Sequence, residues 1–112
     1  MATAANDRLG GLERRELDDG CVLFTARSFA QRSRGLARLD ALPSGRGLHI
    51  LRCRSVHTFG MRFPLDLVFL DRSMRAVSFR RAVPPGRVAF ERGAQAVLEM
   101  PVASESGPDR GP

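Results

Sequence analysis

The chain has 112 residues, 43% hydrophobic and 27% charged, which fits one globular domain able to bury a core without staples. Its net charge is +6 and all 18 basic residues are arginine. Arginine without lysine, in a chain rich in alanine and glycine, reads as coding bias, so charge alone does not argue for a polyanion partner. Trp and Tyr are absent, which removes the best stacking surfaces for bases or sugars. No apolar run has the length of a membrane span and residues 1–8 contain no signal-type segment, so a cytoplasmic protein with no membrane partner is expected. Cys21 and Cys53 are then expected as thiols.

Residues 1–9 are small and polar and read as a loose arm. A single β-rich domain is expected over 10–102, and the Pro, Gly and Ser content of 103–112 predicts a disordered tail. A first strand is predicted over 12–17. Asp18-Asp19-Gly20 then signals a hairpin turn, with the Asp-Gly step supplying left-handed positions. Residues 21–26 read as a second strand. Ser28-Phe29-Ala30-Gln31 has the spacing of a capping box in which Gln31 reaches back to the Ser28 amide. It predicts a short helix over 29–37, with Phe29 and Leu36 toward the core. Pro43-Ser44-Gly45-Arg46-Gly47 is a loop, and 48–51 a strand.

The densest apolar stretch follows: His57-Thr58-Phe59-Gly60-Met61-Arg62-Phe63-Pro64-Leu65-Asp66-Leu67-Val68-Phe69-Leu70-Asp71. Alternation over 57–63 predicts an extended segment with His57, Phe59, Met61 and Phe63 on one face. Pro64 belongs at a bend or edge. Residues 65–70, apolar on both faces except at Asp66, predict a central strand. A turn at 71–73, a strand over 74–81, a break at Val83-Pro84-Pro85-Gly86, a short edge strand over 87–90, a turn at 91–93 and a last strand over 94–100 complete the pattern. The expected fold is mainly β, α+β at the margin: an antiparallel sandwich or partly closed barrel with one short helix.

Asp66 is the singular residue of the central stretch. A carboxylate left unpartnered among apolar neighbours would be expensive, by several kcal/mol or more, roughly. It must therefore be anchored, reach water or hold a proton. The structural reading has it accepting backbone amides near the Pro64 bend or pairing with an arginine such as Arg62. The functional reading makes it an acid/base or ligand-facing group.

The run from His57 to Asp66, followed by Val68-Phe69-Leu70-Asp71, resembles the core motif of the bacterial and archaeal "domain of unknown function 192" family. Arg34-Gly35-Leu36-Ala37-Arg38 is similar to the family's helix-end signature, Leu48-His49-Ile50 to the strand before the motif, and Val97-Leu98-Glu99-Met100-Pro101 to its closing strand. The resemblance spans residues 21–102. It implies a compact β-rich domain with no agreed biochemical activity. Many relatives carry a signal peptide. The family usually has glycine in the turn after the central strand, where Ser73-Met74 stand here, and usually continues past the last strand with a small helix and a further strand.

Candidate binding residues are His57, Phe59, Met61, Pro64, Asp66 and Glu99. A His, a Met and aromatics on one face compose either a ligand-lining surface with one polar handle or a core face. Glu99, in an apolar strand, could meet Asp66 as a carboxylate pair or an arginine as a salt bridge. His49, Cys53 and His57 recur at equal spacing, but tight-turn Cys pairs are missing, and no metal or cofactor is expected. A Cys53–His57 nucleophilic pair has no third orienting group. Arg52/Arg54, Arg72/Arg75 and Arg80/Arg81 could touch phosphates, though no nucleic-acid-binding signature accompanies them. The leading expectation is a non-enzymatic module that binds a small ligand or a protein partner through its central motif. The alternatives are a hydrolase- or lyase-like enzyme using Asp66 with His57 or Glu99, and a basic polyanion-binding accessory protein.

Overall fold

Short segments, most of them apolar, separated by Gly, Pro and Asp turns form eight strands among the described residues. They are β1 Glu13–Glu16, β2 Val22–Ala26, β3 Arg46–Leu51, β4 Ser55–His57, β5 Leu65–Leu70, β6 Ala76–Val83, β7 Val88–Phe90 and β8 Ala96–Pro101. The structure is a computed structural model and describes Leu9, residues 11–27, Gln31, Leu36 and residues 41–102. The expected arms over 1–9 and 103–112, Leu9 apart, and the helix over 29–37, Gln31 and Leu36 apart, lie outside the described residues. The Gln31 side chain does reach back, accepting the Arg27 amide at 2.8 Å, one residue before the expected cap.

Six strands form one sheet in the order β1-β2-β3-β8-β5-β6, and β4 pairs with β7 in a second. The sheets do not close on each other, so the architecture is an open sandwich rather than a barrel. Every adjacent pair is antiparallel except β2–β3, which runs parallel with Val22 opposite Arg46. Parallel neighbours need a crossover of about a dozen residues or more, and residues 27–45 supply that length. β5 lies inside the larger sheet, between β8 and β6, as its apolar character on both faces requires.

Alternation along the strands puts Leu48 and Ile50 of β3, Leu65, Leu67 and Phe69 of β5 and Val97 of β8 into one core with Val22, Phe24 and Ala26 of β2. Val56 of the second sheet closes over it, with Met61, Leu36 and Leu9. Each fully buried Leu or Phe contributes about 2–3 kcal/mol of apolar transfer. On the opposite face of the larger sheet Met100 lies across the site of the missing Gly47 side chain.

The extended segment expected over 57–63 is corrected by the structure. β4 ends at His57, and residues 58–61 close a turn in which the Met61 amide donates to the Thr58 carbonyl at 3.1 Å and Gly60 takes φ 82°. The shared face therefore breaks up: Met61 and Thr58 are buried, whereas Phe59 is 53% exposed. The cause is tertiary, because Thr58 is bonded to residues 84–87.

Two turns follow their local chemistry. At 18–20, Gly20 adopts φ 88° and the Asp19 carboxylate accepts the Cys21 amide at 3.0 Å. After β5, Asp71 Oδ1 accepts the amides of Ser73 at 2.8 Å and Arg75 at 3.0 Å. Met74 there adopts φ 69°, a left-handed conformation that glycine enters without strain.

Candidate functional site

Asp66 sits where β5 and β6 fall out of register. Leu65 faces Val83 and Leu67 faces Arg80, so Arg81 and Ala82 both stand opposite this one residue. The bulge takes Ala82 to φ 50° and turns its amide away from the regular ladder. Asp66 Oδ1 accepts that amide at 2.7 Å, and Arg81 Nε lies 3.6 Å from Oδ2. The carboxylate is buried and anchored to backbone, with an arginine beside it. The amide comes from the facing strand, not from the Pro64 bend.

Thr58, which the sequence did not single out, is the second polar anchor of the motif and is 1% exposed. Its hydroxyl donates to the Pro84 carbonyl at 2.7 Å and accepts the Arg87 amide at 2.7 Å. Its own amide donates to the Arg87 carbonyl at 2.8 Å, and its carbonyl accepts the Gly86 amide at 3.0 Å. Like the Asp66 carboxylate, this hydroxyl is a polar group in a greasy run and needs a partner.

Both anchors grip the same piece of chain. Asp66 holds residues 81–82 and Thr58 holds 84–87, which connect β6 to β7. Phe79, Arg81, Arg87, Val88 and Phe90 line a shallow, solvent-open groove there, of about 570 Å³. Phe79 is 60%, Val88 65% and Phe90 57% exposed. Arg80 ties its two sides together: the guanidinium stands 5.2 Å over the Phe69 ring, and Nη2 donates to the Phe90 carbonyl at 3.1 Å and meets Glu91 at 3.4 Å. In the second sheet Val56 and Ala89 turn inward, leaving His57, Val88 and Phe90 outward. The exposed His57 ring stacks on Phe59 with centroids 5.4 Å apart, which extends the apolar face.

The remaining candidates are dispersed. Met61 belongs to the core, and Pro64 is exposed just ahead of β5. Glu99 pairs in register with Leu48 and Leu67, inside the core and on the opposite sheet face from Asp66, whose β8 partner is Met100. The two carboxyls therefore form no acid/base pair. Glu99 Oε1 is buried without a hydrogen-bond partner, and burial pushes its carboxyl up to about 7.

His49 lies on the other face, its Nε2 also unpartnered. Burial, then Arg15 and Arg27, hold it below the usual imidazole range. His49 and His57 lie in different sheets, separated by the bend that contains Cys53, and Cys53 Sγ donates to the Ser55 carbonyl at 3.0 Å. Among the described residues no three His, Cys, Asp or Glu side chains converge as a metal site, and no helix is long and apolar enough to cross a membrane.

The fold and this site define a small mixed-sheet β domain whose central motif carries backbone anchors. The chain belongs to the domain of unknown function 192 family, described as "Uncharacterized ACR", whose model matches residues 13–104. A protein of unknown function from Novosphingobium aromaticivorans DSM 12444 shares the fold with a TM-score of 0.67 and 19% identity, covering 92% of this chain and 88% of its own. A candidate transcription regulator from Sinorhizobium meliloti 1021 is similar at TM-score 0.67 and 19% identity, covering 80% of this chain and 78% of its own. At that identity the likeness is one of fold. No curated protein matches the sequence.

Proposed function

We propose that this domain is a non-enzymatic module that binds a protein partner through the face formed by the outer side of β4–β7 and the adjoining part of β6. One observation carries the reading. The two buried polar groups of the central motif, Asp66 and Thr58, are both engaged in shaping the 81–87 segment, beside which Phe59, Phe79, Val88 and Phe90 stand in solvent. Large apolar side chains gathered on one rigidly supported surface mark an interaction site more often than chance exposure does. The shallowness of the groove favours an extended protein contact over a small ligand, which would need a concavity that encloses most of its surface. The exposed apolar area likewise favours protein over a polyanion, whose phosphates would require only charge.

The test places a photo-reactive phenylalanine analogue at Phe90 in the full chain, with Arg72, on the turn after β5, as control. Irradiation in the source cell is expected to give a discrete adduct from the first position and none from the second. Equal labelling, or no adduct at either position, would count against this face.

A further inference from the structure

Resting on that reading, the geometry points to a partner that offers an extended, acidic segment, which adds as a strand to the outer edge of β6 and rests apolar side chains on Phe79 and Phe90. The larger sheet has two edges. At one, β1 is short and its four residues are all charged and exposed, the usual guard against edge pairing. At the other, β6 is the longest described strand, with eight residues, and has no strand neighbour on its outer side among the described residues. Val77 and Phe79 alternate along it in an exposed apolar row. The β5–β6 ladder is irregular opposite Asp66 and again between Phe69 and Leu70, and over the regular stretch between, residues 78–80, the outer edge presents backbone donors and acceptors that an extended peptide can complete.

Charge selects the occupant. Arg81 pairs with Asp66 at 3.6 Å yet keeps 56% of its side chain exposed, and Arg87 extends from a backbone that Thr58 fixes in place. A second copy pairing antiparallel along β6 would bring arginines of both chains together, which is unfavourable, whereas an acidic strand would find them complementary. The unpaired backbone edge beside apolar side chains distinguishes a peptide from a nucleic acid, which has no strand to add.

The experiment uses the full chain and four fluorescent probes. These are a strand-length peptide alternating glutamate and valine, its lysine counterpart, the acidic peptide N-methylated at alternate amides, and a single-stranded oligonucleotide. The acidic peptide is expected to bind about tenfold or more tighter than the lysine peptide, and N-methylation to abolish binding. Amide exchange should slow within residues 78–80 of β6, and Arg87→Glu should weaken binding about tenfold with unchanged melting. Equal affinity for both charges, retained binding of the methylated peptide, protection outside β6, or preference for the oligonucleotide would overturn the inference. A specific adduct at Phe90 alongside unprotected β6 amides would leave the binding face standing and remove only the acidic strand; failure of both would remove the face as well.

Discussion

Asp66 and Ala82 are joined at 2.7 Å, a carboxylate oxygen filling the place where a ladder carbonyl would otherwise receive the bulged amide. The bond makes a buried acid in the middle of an apolar strand part of the architecture. It also places the Arg81 guanidinium next to the groove.

Asp66→Ala is expected to destabilise the fold by about 1 kcal/mol, because it removes the acceptor of the part-buried Ala82 amide. Asp66→Asn keeps an acceptor in place and should cost less than half as much. Urea denaturation measures both, and Ala82 amide exchange should accelerate in the alanine variant. Equal stability of the two variants would contradict the anchoring role.

Thr58→Val removes a hydroxyl that serves one acceptor and one donor across the 84–87 segment. A loss of about 2–3 kcal/mol is expected, against about 1 kcal/mol for Thr58→Ser, which retains both bonds. Thermal melts of the three proteins provide the comparison.

Glu99 gives stability a pH dependence of defined sign. Its carboxyl is raised from 4.5 to about 7 in the fold, so between those values the native state holds a proton that the unfolded chain has released. The contribution of Glu99 to stability is therefore greatest below 4.5, falls as pH rises through 7, and levels off above, with a total change of about 3 kcal/mol. Glu99→Gln should lack this slope and be more stable than wild type at alkaline pH. A wild-type and variant difference that does not vary with pH would refute the assignment.

His49 contributes the opposite slope. Its native imidazole is held below 6.5, so the unfolded chain takes up a proton first and stability is lost as pH falls through that region. His49→Gln should be less sensitive to acid than wild type, as read from denaturation midpoints on the acid side of neutrality.

Met74→Gly is expected to stabilise the protein. Relief of a left-handed φ of 69° at a non-glycine residue is worth about 1 kcal/mol, offset in part by the greater freedom of glycine in the unfolded chain. A lowered melting temperature would show that the Met74 side chain contributes more than its backbone strain removes.

Much of the fold was legible in the residues. The strand predicted over 65–70 is β5 with the same bounds, because a short apolar run between Pro64 and an Asp-led turn leaves few alternatives. The turn chemistry at Asp19-Gly20 and Asp71 was equally readable. The end of β4 was not, because Thr58 leaves the extended conformation for partners at residues 84–87. Nor was the position of Glu99: alternation assigns it to one face of its strand, but only the pairing with β3 and β5 reveals that the face is the core.

The sequence by itself determined a mainly β domain, the order and approximate bounds of most strands, family membership, and the requirement that Asp66 be anchored, reach water or hold a proton. These follow from side-chain periodicity, turn preferences and the energetics of burying charge, all of which operate within a few residues. Tertiary structure alone decided the parallel β2–β3 pair, the β6 bulge that receives Asp66, the Thr58 latch and the opposite placement of Asp66 and Glu99. Each of those depends on which strands meet and in what register, and a hydrogen bond or a shared face between distant residues exists only once the chain has closed the loop between them.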